Sequence, residues 1–484
     1  MNSKSIWNDS AKISPRESLS SNISADVCVI GGGIAGLLIA NRLKESGLNV
    51  VVVEAKTIGS GQSSNTTAKI TYQHGIIYNR LISTIGKDKA TQYAEINRRA
   101  VEEYESLINR QNIKCDFVRS PACVYSLEEN NPILEEYHSA KECGIDCYLT
   151  DSTHLPFKVK QALVFRNQAQ FNPVMFISQL ATGLKIYENS PVVEVKSDLV
   201  ITEKGSVKAD AIVFATHYPI VNTRGMYFPR LLQSRSYCLA IRGGKTLDGM
   251  YYPADKGGLS FRNYKDFTIV VGEGHITGDN PKGDKYSRLR QSVAQIFPDS
   301  TEVAHWSAQD TMSIDSLPFI GKYCITTPNW YVATGFGKWG MSLSMVSAII
   351  LDDLINNRKN GYKSLFSPRR FHPSSADNLC RMVGKAVTGI SKEVFKSPKD
   401  SIEDIPTGEG KIVEYNGEKV GVYKDEDGNI FAVDVRCTHL GCQLEWNGDE
   451  KTWDCPCHGS RFSYKGELID NPAQHNLNSI TPKD

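Results

Sequence analysis

The chain has no long apolar run: nowhere do about 18 uncharged apolar residues follow one another, as a membrane-spanning helix requires. Met1 to Ser21 is polar and Ser-rich, without the apolar stretch of a signal peptide. Charge of one sign is missing too, since 55 Lys+Arg stand against 54 Asp+Glu for a net charge of +1. A balanced surface offers no broad cationic field, which argues against nucleic acid or an anionic membrane as the main partner. Together these absences point to a cytoplasmic protein. No internal repeat is present. At 484 residues the chain exceeds what one core serves, so about two to four domains are expected.

Cysteine is plentiful, with 12 in the chain. Cys28, Cys115, Cys123, Cys143, Cys147, Cys238, Cys324 and Cys380 are scattered and read as reduced core thiols. Cys437, Cys442, Cys455 and Cys457 crowd together near the C-terminus, a spacing that points to metal.

The first ordered unit is a short apolar strand, Asp26 to Ile30, followed by Gly31-Gly32-Gly33-Ile34-Ala35-Gly36. A helix is expected over Leu37 to Ser46, stopped by Gly47, and a second strand over Asn49 to Val53. This is a βαβ unit. Gly31 permits the tight turn, Gly33 lets backbone approach a pyrophosphate, and Gly36 lets helix and strand pack closely. The helix N-terminus offers free N–H groups to phosphate, and Glu54 can accept hydrogen bonds from a ribose. A second such fingerprint, needed for a separate nicotinamide site, is lacking: neither Gly243-Gly244 nor Gly272-Glu273-Gly274 opens an apolar helix. One dinucleotide site favours a tightly held flavin.

Further along, a helix is expected over Asp88 to Asn112, an antiparallel aromatic-rich layer over residues 225–310, and a long helix from about Lys338 to Ile355. The stretch 357–375 is a polar, Pro-bearing connector, Ala376 to Ile390 a short helix, the connector 357–400 as a whole is able to let the C-terminal part swing, and short strands begin near Ile402.

At this point residues 23 to 360 resemble the D-amino acid oxidase-like flavoproteins, which include glycine oxidase and sarcosine oxidase. The resemblance rests on Gly31 to Glu54, the loop Gly61 to Ala68, Pro191 to Val195, Val213-Phe214-Ala215-Thr216-His217, and Asp315 to Gly321 followed by Ala333 to Met341. It implies FAD. Its candidate contacts are Gly31, Gly33, Ile34, Ala35, Gly36 and Glu54, then Ser63, Thr67 and Ala68, with Val193 offering backbone to adenine. Ala215 and Thr216, and then Gly335, Gly337, Lys338, Gly340 and Met341, complete the set. His217 stands where that family has Gly. The last helix would aim its N-terminus at the flavin ring, where negative charge gathers on reduction. On the substrate side the candidates are Arg262, as a carboxylate clamp, with Tyr252, Lys338 and His74, near Tyr264 and Trp339.

Near the C-terminus, Cys437-x-His439 and Cys455-x-x-His458 suit a [2Fe–2S] centre with thiolates on one iron and imidazoles on the other. Zinc fits poorly, because each His sits in a Gly-bearing loop rather than paired on a helix. A mononuclear iron site, as an oxygenase needs, has no closely spaced His pair among the remaining histidines. Residues 403 to 484 are similar to the Rieske family, including Phe462, Gly466 and Asn471-Pro472-Ala473. That resemblance implies Cys437, His439, Cys455 and His458 as ligands, a Cys442–Cys457 disulfide, and Ser460 as a donor to a bridging sulfide. Phe462 replaces the Tyr of high-potential members, so a lower potential is implied.

The expected architecture is an α/β FAD-binding Rossmann-like domain with an α+β antiparallel-sheet substrate domain, followed by a small all-β Rieske domain. The parts are a flexible N-terminus (1–22), FAD-binding stretches near 23–80, 150–224 and 311–360, substrate stretches near 81–149 and 225–310, a linker (361–402) and the Rieske domain (403–484). The expected function is a dehydrogenase that oxidises an amine or amino acid and relays electrons through the cluster to a protein acceptor. Two alternatives are a redox sensor without an organic substrate, and a reductase in which electrons enter at the cluster.

Overall fold

The computed structural model describes residues 4–221, 224–280, 283–370 and 401–481. Residues 371–400, the larger part of the expected connector with its expected helix, lie outside the described residues.

Four consecutive valines, Val50–Val53, are all buried, as β-branched residues are in a strand covered on both faces. They pair in parallel with Asn22–Ile30 on one side and Lys185–Tyr187 on the other. Ser206–Phe214 pairs in parallel with the far edge of Asn22–Ile30, and Thr327–Thr334 follows it. Phe319–Cys324, antiparallel to Thr327–Thr334, and the antiparallel hairpin Val192–Lys196 and Leu199–Thr202, which pairs with Ser206–Phe214, complete this eight-stranded sheet. The helix Ile34–Glu45 lies against it, and the almost wholly buried helix Gly340–Ile355 packs on that helix. Both begin near the glycines expected to open them, although the second starts two residues after Lys338.

A second eight-stranded sheet runs Thr301–Ser313, Leu231–Arg242, Phe267–Ile276, Ser260–Tyr264, Met250–Pro253, Ala122–Ser126, Gln161–Phe165, Cys147–Thr150. The antiparallel layer expected over 225–310 is its larger half. Gln161–Phe165 also belongs to it, so this sheet takes in residues beyond 150. The C-terminal part is two small four-stranded sheets.

The N-terminal segment corrects the expectation of a flexible tail. Trp7 is fully buried and Leu19 is 1% exposed. The Trp7 indole N–H donates to the Thr66 carbonyl at 2.7 Å, and its ring packs against Tyr264 at 4.7 Å. One large aromatic with a satisfied donor anchors this otherwise polar stretch.

Candidate functional site

Gly31 has φ 110°, and a side chain there would meet the Ala215 carbonyl oxygen at 2.5 Å. At Gly36 an added Cβ would lie 1.9 Å from the Gly31 carbonyl oxygen. That clash is with backbone, which cannot rotate away. Gly36→Ala is therefore expected to yield protein with less than about a tenth of the wild-type flavin-to-protein absorbance ratio, strain of this kind costing several kcal/mol. An unchanged ratio would contradict this account of the turn.

The turn opens onto a cavity of about 1580 Å³, lined by Gly31, Gly33, Ile34, Ala35 and Glu54 at one end. Such a volume exceeds the ~300–1,000 Å³ usual for a small-ligand site, leaving room for a dinucleotide and a second molecule. Glu54 accepts the backbone N–H groups of Gly32 (2.7 Å) and Lys56 (2.8 Å), while burial raises its pKa. Ser63 Oγ accepts the Ile34 N–H at 3.0 Å, the first free donor of the helix. Thr67, Ala215 and Thr216 line the same space. Gly335, Gly337, Lys338, Gly340 and Met341 line its other end.

Two expected contacts are displaced. Val193 is 50% exposed, and Pro191 and Val192 line the cavity in its place. Ala68 is fully buried but turned from the cavity, its carbonyl bound by Arg262. His217 has φ 63°, the left-handed conformation that explains why the resembled family has Gly there.

On the substrate side, Arg262 is corrected. It is 1% exposed and donates to the carbonyls of Thr67, Ala68 and Phe171, with its guanidinium 5.3 Å from the Trp7 ring. A fork committed to carbonyls cannot clamp a substrate; Arg262 pins the loop instead. Tyr264 is likewise turned away, donating to Asp116. His74 reaches the cavity wall with both nitrogens engaged. Nε2 donates to the Thr71 carbonyl (2.7 Å), so Nδ1 accepts from the Tyr93 hydroxyl (2.6 Å). Burial lowers its pKa to about 3, so it stays neutral, and it stacks on Trp339 at 4.7 Å. Its geometry is that of a positioning residue for Trp339, beside which Tyr252 packs at 5.1 Å. Lys338 donates to Ser236 Oγ at 3.1 Å.

Two cavity residues escaped the sequence reading. Lys69 donates to the Tyr251 carbonyl (3.1 Å) and to Ser260 Oγ, and burial lowers its pKa to about 7. Asp310 is pushed up to about 6 by burial, against the opposing pull of Lys338 and Arg235. The signal for Asp310 is phase: it sits opposite Ser234, in the alternation that sends Ser234, Ser236 and Cys238 to one face of the sheet.

The other face carries Gln233, Arg235, Ser307, Gln309 and Thr311, and the C-terminal domain docks on it. Gln233 Nε2 donates to the carbonyls of His458 (3.1 Å) and Asn471 (2.8 Å). Gln309 Nε2 donates to Gly459 O (2.9 Å) and Gln233 Oε1 (2.8 Å). Arg235 meets Glu450 and Asp470, while Arg461 meets Glu450 (2.9 Å), Asp454 (3.1 Å) and Asp470 (3.0 Å).

Within that domain the two Cys–His loops face each other. The His439 and His458 rings lie 4.9 Å apart at 88°. Both ring nitrogens of His439 and Nδ1 of His458 are buried without a hydrogen-bond partner. Burial lowers His439 to about 4 and His458 to about 3, so both are neutral imidazoles. The Cys437 and Cys455 thiols are buried and unpaired by disulfide, and the hydrogen bond between them lowers Cys437 and raises Cys455. Orphaned imidazole nitrogens beside two thiols fit a metal cluster, not a hydrogen-bonded core. Cys442 and Cys457 are joined as a disulfide, and Ser460 Oγ accepts the Ala473 N–H at 3.0 Å.

Residues 26–354 match the FAD-dependent oxidoreductase family denoted DAO. The chain belongs to that family. Residues 397–481 match the Rieske [2Fe–2S] domain. This DAO-type oxidoreductase therefore takes FAD in its α/β domain and a [2Fe–2S] cluster in its small β-rich domain. It is 34% identical over 99% of its length to YhfW of Bacillus subtilis (strain 168), named as a Rieske 2Fe-2S iron-sulfur protein, covering 97% of that protein. It is 26% identical to gamma-glutamylputrescine oxidoreductase of Escherichia coli (strain K12), over 71% of this chain and 86% of that protein. In fold it is similar to glycine oxidase from Geobacillus kaustophilus, with a TM-score of 0.59 at 20% identity, covering 72% of this chain and 99% of the other. Among the described residues, no helix is long and apolar enough to cross a membrane.

Proposed function

We propose that this oxidoreductase oxidises the C–N bond of an amine or amino acid and passes the two electrons, one at a time, through the Rieske centre to a protein acceptor. When bound, FAD supplies a hydride acceptor and the cluster a one-electron site. Cys437, His439, Cys455 and His458 would hold the cluster, and the Gly31–Gly36 turn, Glu54 and Ser63 the dinucleotide.

The observation that carries this reading is a continuous run of hydrogen bonds across the sheet between the two sites. The Gly337 N–H donates to the Thr311 carbonyl (2.8 Å), the Thr311 hydroxyl meets Gln233 Oε1 (3.5 Å), and Gln233 Nε2 reaches the His458 carbonyl (3.1 Å). Gly337 lines the cavity, and His458 belongs to a candidate ligand loop. Gln233, Gln309 and Thr311 are each 1% exposed, so a dry polar junction links the sites.

The cavity wall supports a nitrogenous substrate. Asp310 is suited to a substrate ammonium, and Lys338 and Lys69 to a carboxylate. Trp339 and Tyr252 provide the apolar surface that keeps water from the reacting carbon. Outside the Cys442–Cys457 pair the described cysteines are free, which supports a cytoplasmic setting.

Anaerobic titration with L-amino acids and with primary and secondary amines tests the substrate class. At least one member is expected to bleach the visible flavin band at substoichiometric enzyme. Bleaching by reduced ferredoxin and by no amine would reverse the direction of flow and overturn the reading.

A further inference from the structure

We propose that the dinucleotide site is composite: segment 468–474 of the Rieske domain forms its outer wall, so FAD is retained only while the two domains are docked. The inference rests on the FAD site and is independent of which substrate is oxidised.

Leu468, Ile469, Asp470 and Asn471 line the same cavity as Gly31 and Glu54. The segment is tied to three of the loops that carry or adjoin candidate dinucleotide contacts, those at Glu54, Ser63 and Thr216. Lys56, two residues after Glu54, donates through Nζ to the carbonyls of Leu468 and Ile469, both at 3.3 Å. Gln62, beside Ser63, donates to Asp470 Oδ1 at 3.0 Å. Asn471 Nδ2 donates to the carbonyls of Thr216 (2.7 Å) and Tyr218 (2.9 Å). These ties bridge the cavity mouth from one dinucleotide loop to the next.

A ligand enclosed by two domains favours their docked state by its differential affinity for that state. Docking strengthens the ligand's binding by the same factor, as linkage requires. The Arg461 ion pairs to Asp454 and Asp470 lie within the Rieske domain, so loosening the outer ties leaves that domain's own network in place.

The test uses the full-length holoprotein. In the double variant Lys56→Met/Asn471→Ala, FAD release, followed by the rise in free-flavin fluorescence after dilution, is expected to be at least about tenfold faster than in wild type. The Rieske EPR line shape should be unchanged. Release at the wild-type rate would overturn the proposal. A second measurement needs no substitution: hydrogen exchange of the 468–474 amides in wild-type protein with FAD bound and after its removal. Protection is expected to fall about tenfold on removal. Equal protection would overturn the proposal, and neither measurement depends on turnover of any amine.

Discussion

Cys455→Ser is expected to purify with its FAD and without its [2Fe–2S] cluster. Cys455 is 1% exposed and sits at the start of a tight turn, where its carbonyl accepts the Gly459 N–H (2.9 Å) and its own N–H donates to Ser460 O (2.8 Å). The backbone therefore fixes the sulfur's position, and serine would enter the same place. A hydroxyl is a harder and far more weakly acidic ligand than a thiol, so one iron loses a partner that the buried pocket cannot replace with water. Iron content and the Rieske EPR signal should fall to below about a tenth of wild type, with the flavin-to-protein ratio unchanged. Retention of the signal would remove Cys455 from the ligand set. Simultaneous loss of flavin would contradict the expectation that FAD is held without the cluster.

The second large effect is expected at Arg461, where Arg461→Met should destabilise the protein by about 3–5 kcal/mol, the range for removing one partner of a buried ionic cluster. Arg461 is 5% exposed and faces Glu450, Asp454 and Asp470. Methionine fills much of the volume and leaves the buried Asp454 without its guanidinium, and the mostly buried Glu450 and Asp470 with Arg235 as their remaining cation. The effect has a pH signature. Burial by itself would raise Glu450 and Asp470, but the Arg235 and Arg461 guanidiniums outweigh it and hold both below the usual carboxylate range. A depressed folded-state pKa contributes stability above the unfolded value of about 4, and that stability is lost as pH falls through the folded value. The variant lacks much of this contribution. Its deficit against wild type should be largest above about pH 5 and shrink on acidification, as measured by urea unfolding across pH. A deficit that grows toward low pH would contradict this assignment of charges.

How legible these sites were depended on how local their causes are. The glycine turn and the two Cys–His loops are short stretches whose spacing is itself the mechanism, so the residues could be named directly. Arg262 was misread because its surroundings come from far along the chain. Trp7 and the carbonyl of Phe171 surround a guanidinium that a strand pattern alone leaves facing a substrate. Val193 shows the cost of a one-residue slip in a strand, where neighbours point to opposite faces and Val192 takes the cavity side. Lys69 and Asp310 carry no motif. Their importance comes from burial in a shared cavity, which appears only when the two sheets are assembled. Trp7 was overlooked because a polar composition says little about a single anchoring aromatic.

Rapid-freeze EPR after anaerobic mixing with a flavin-bleaching amine or amino acid tests the relay between the two centres of this chain. The reduced Rieske signal is expected to grow in as the flavin band bleaches. In Gln233→Met, which cuts the hydrogen-bonded junction to His458, the signal should grow at least about tenfold more slowly while bleaching keeps its rate. Bleaching with no Rieske signal, or a signal that appears only when reduced ferredoxin is supplied, would contradict it.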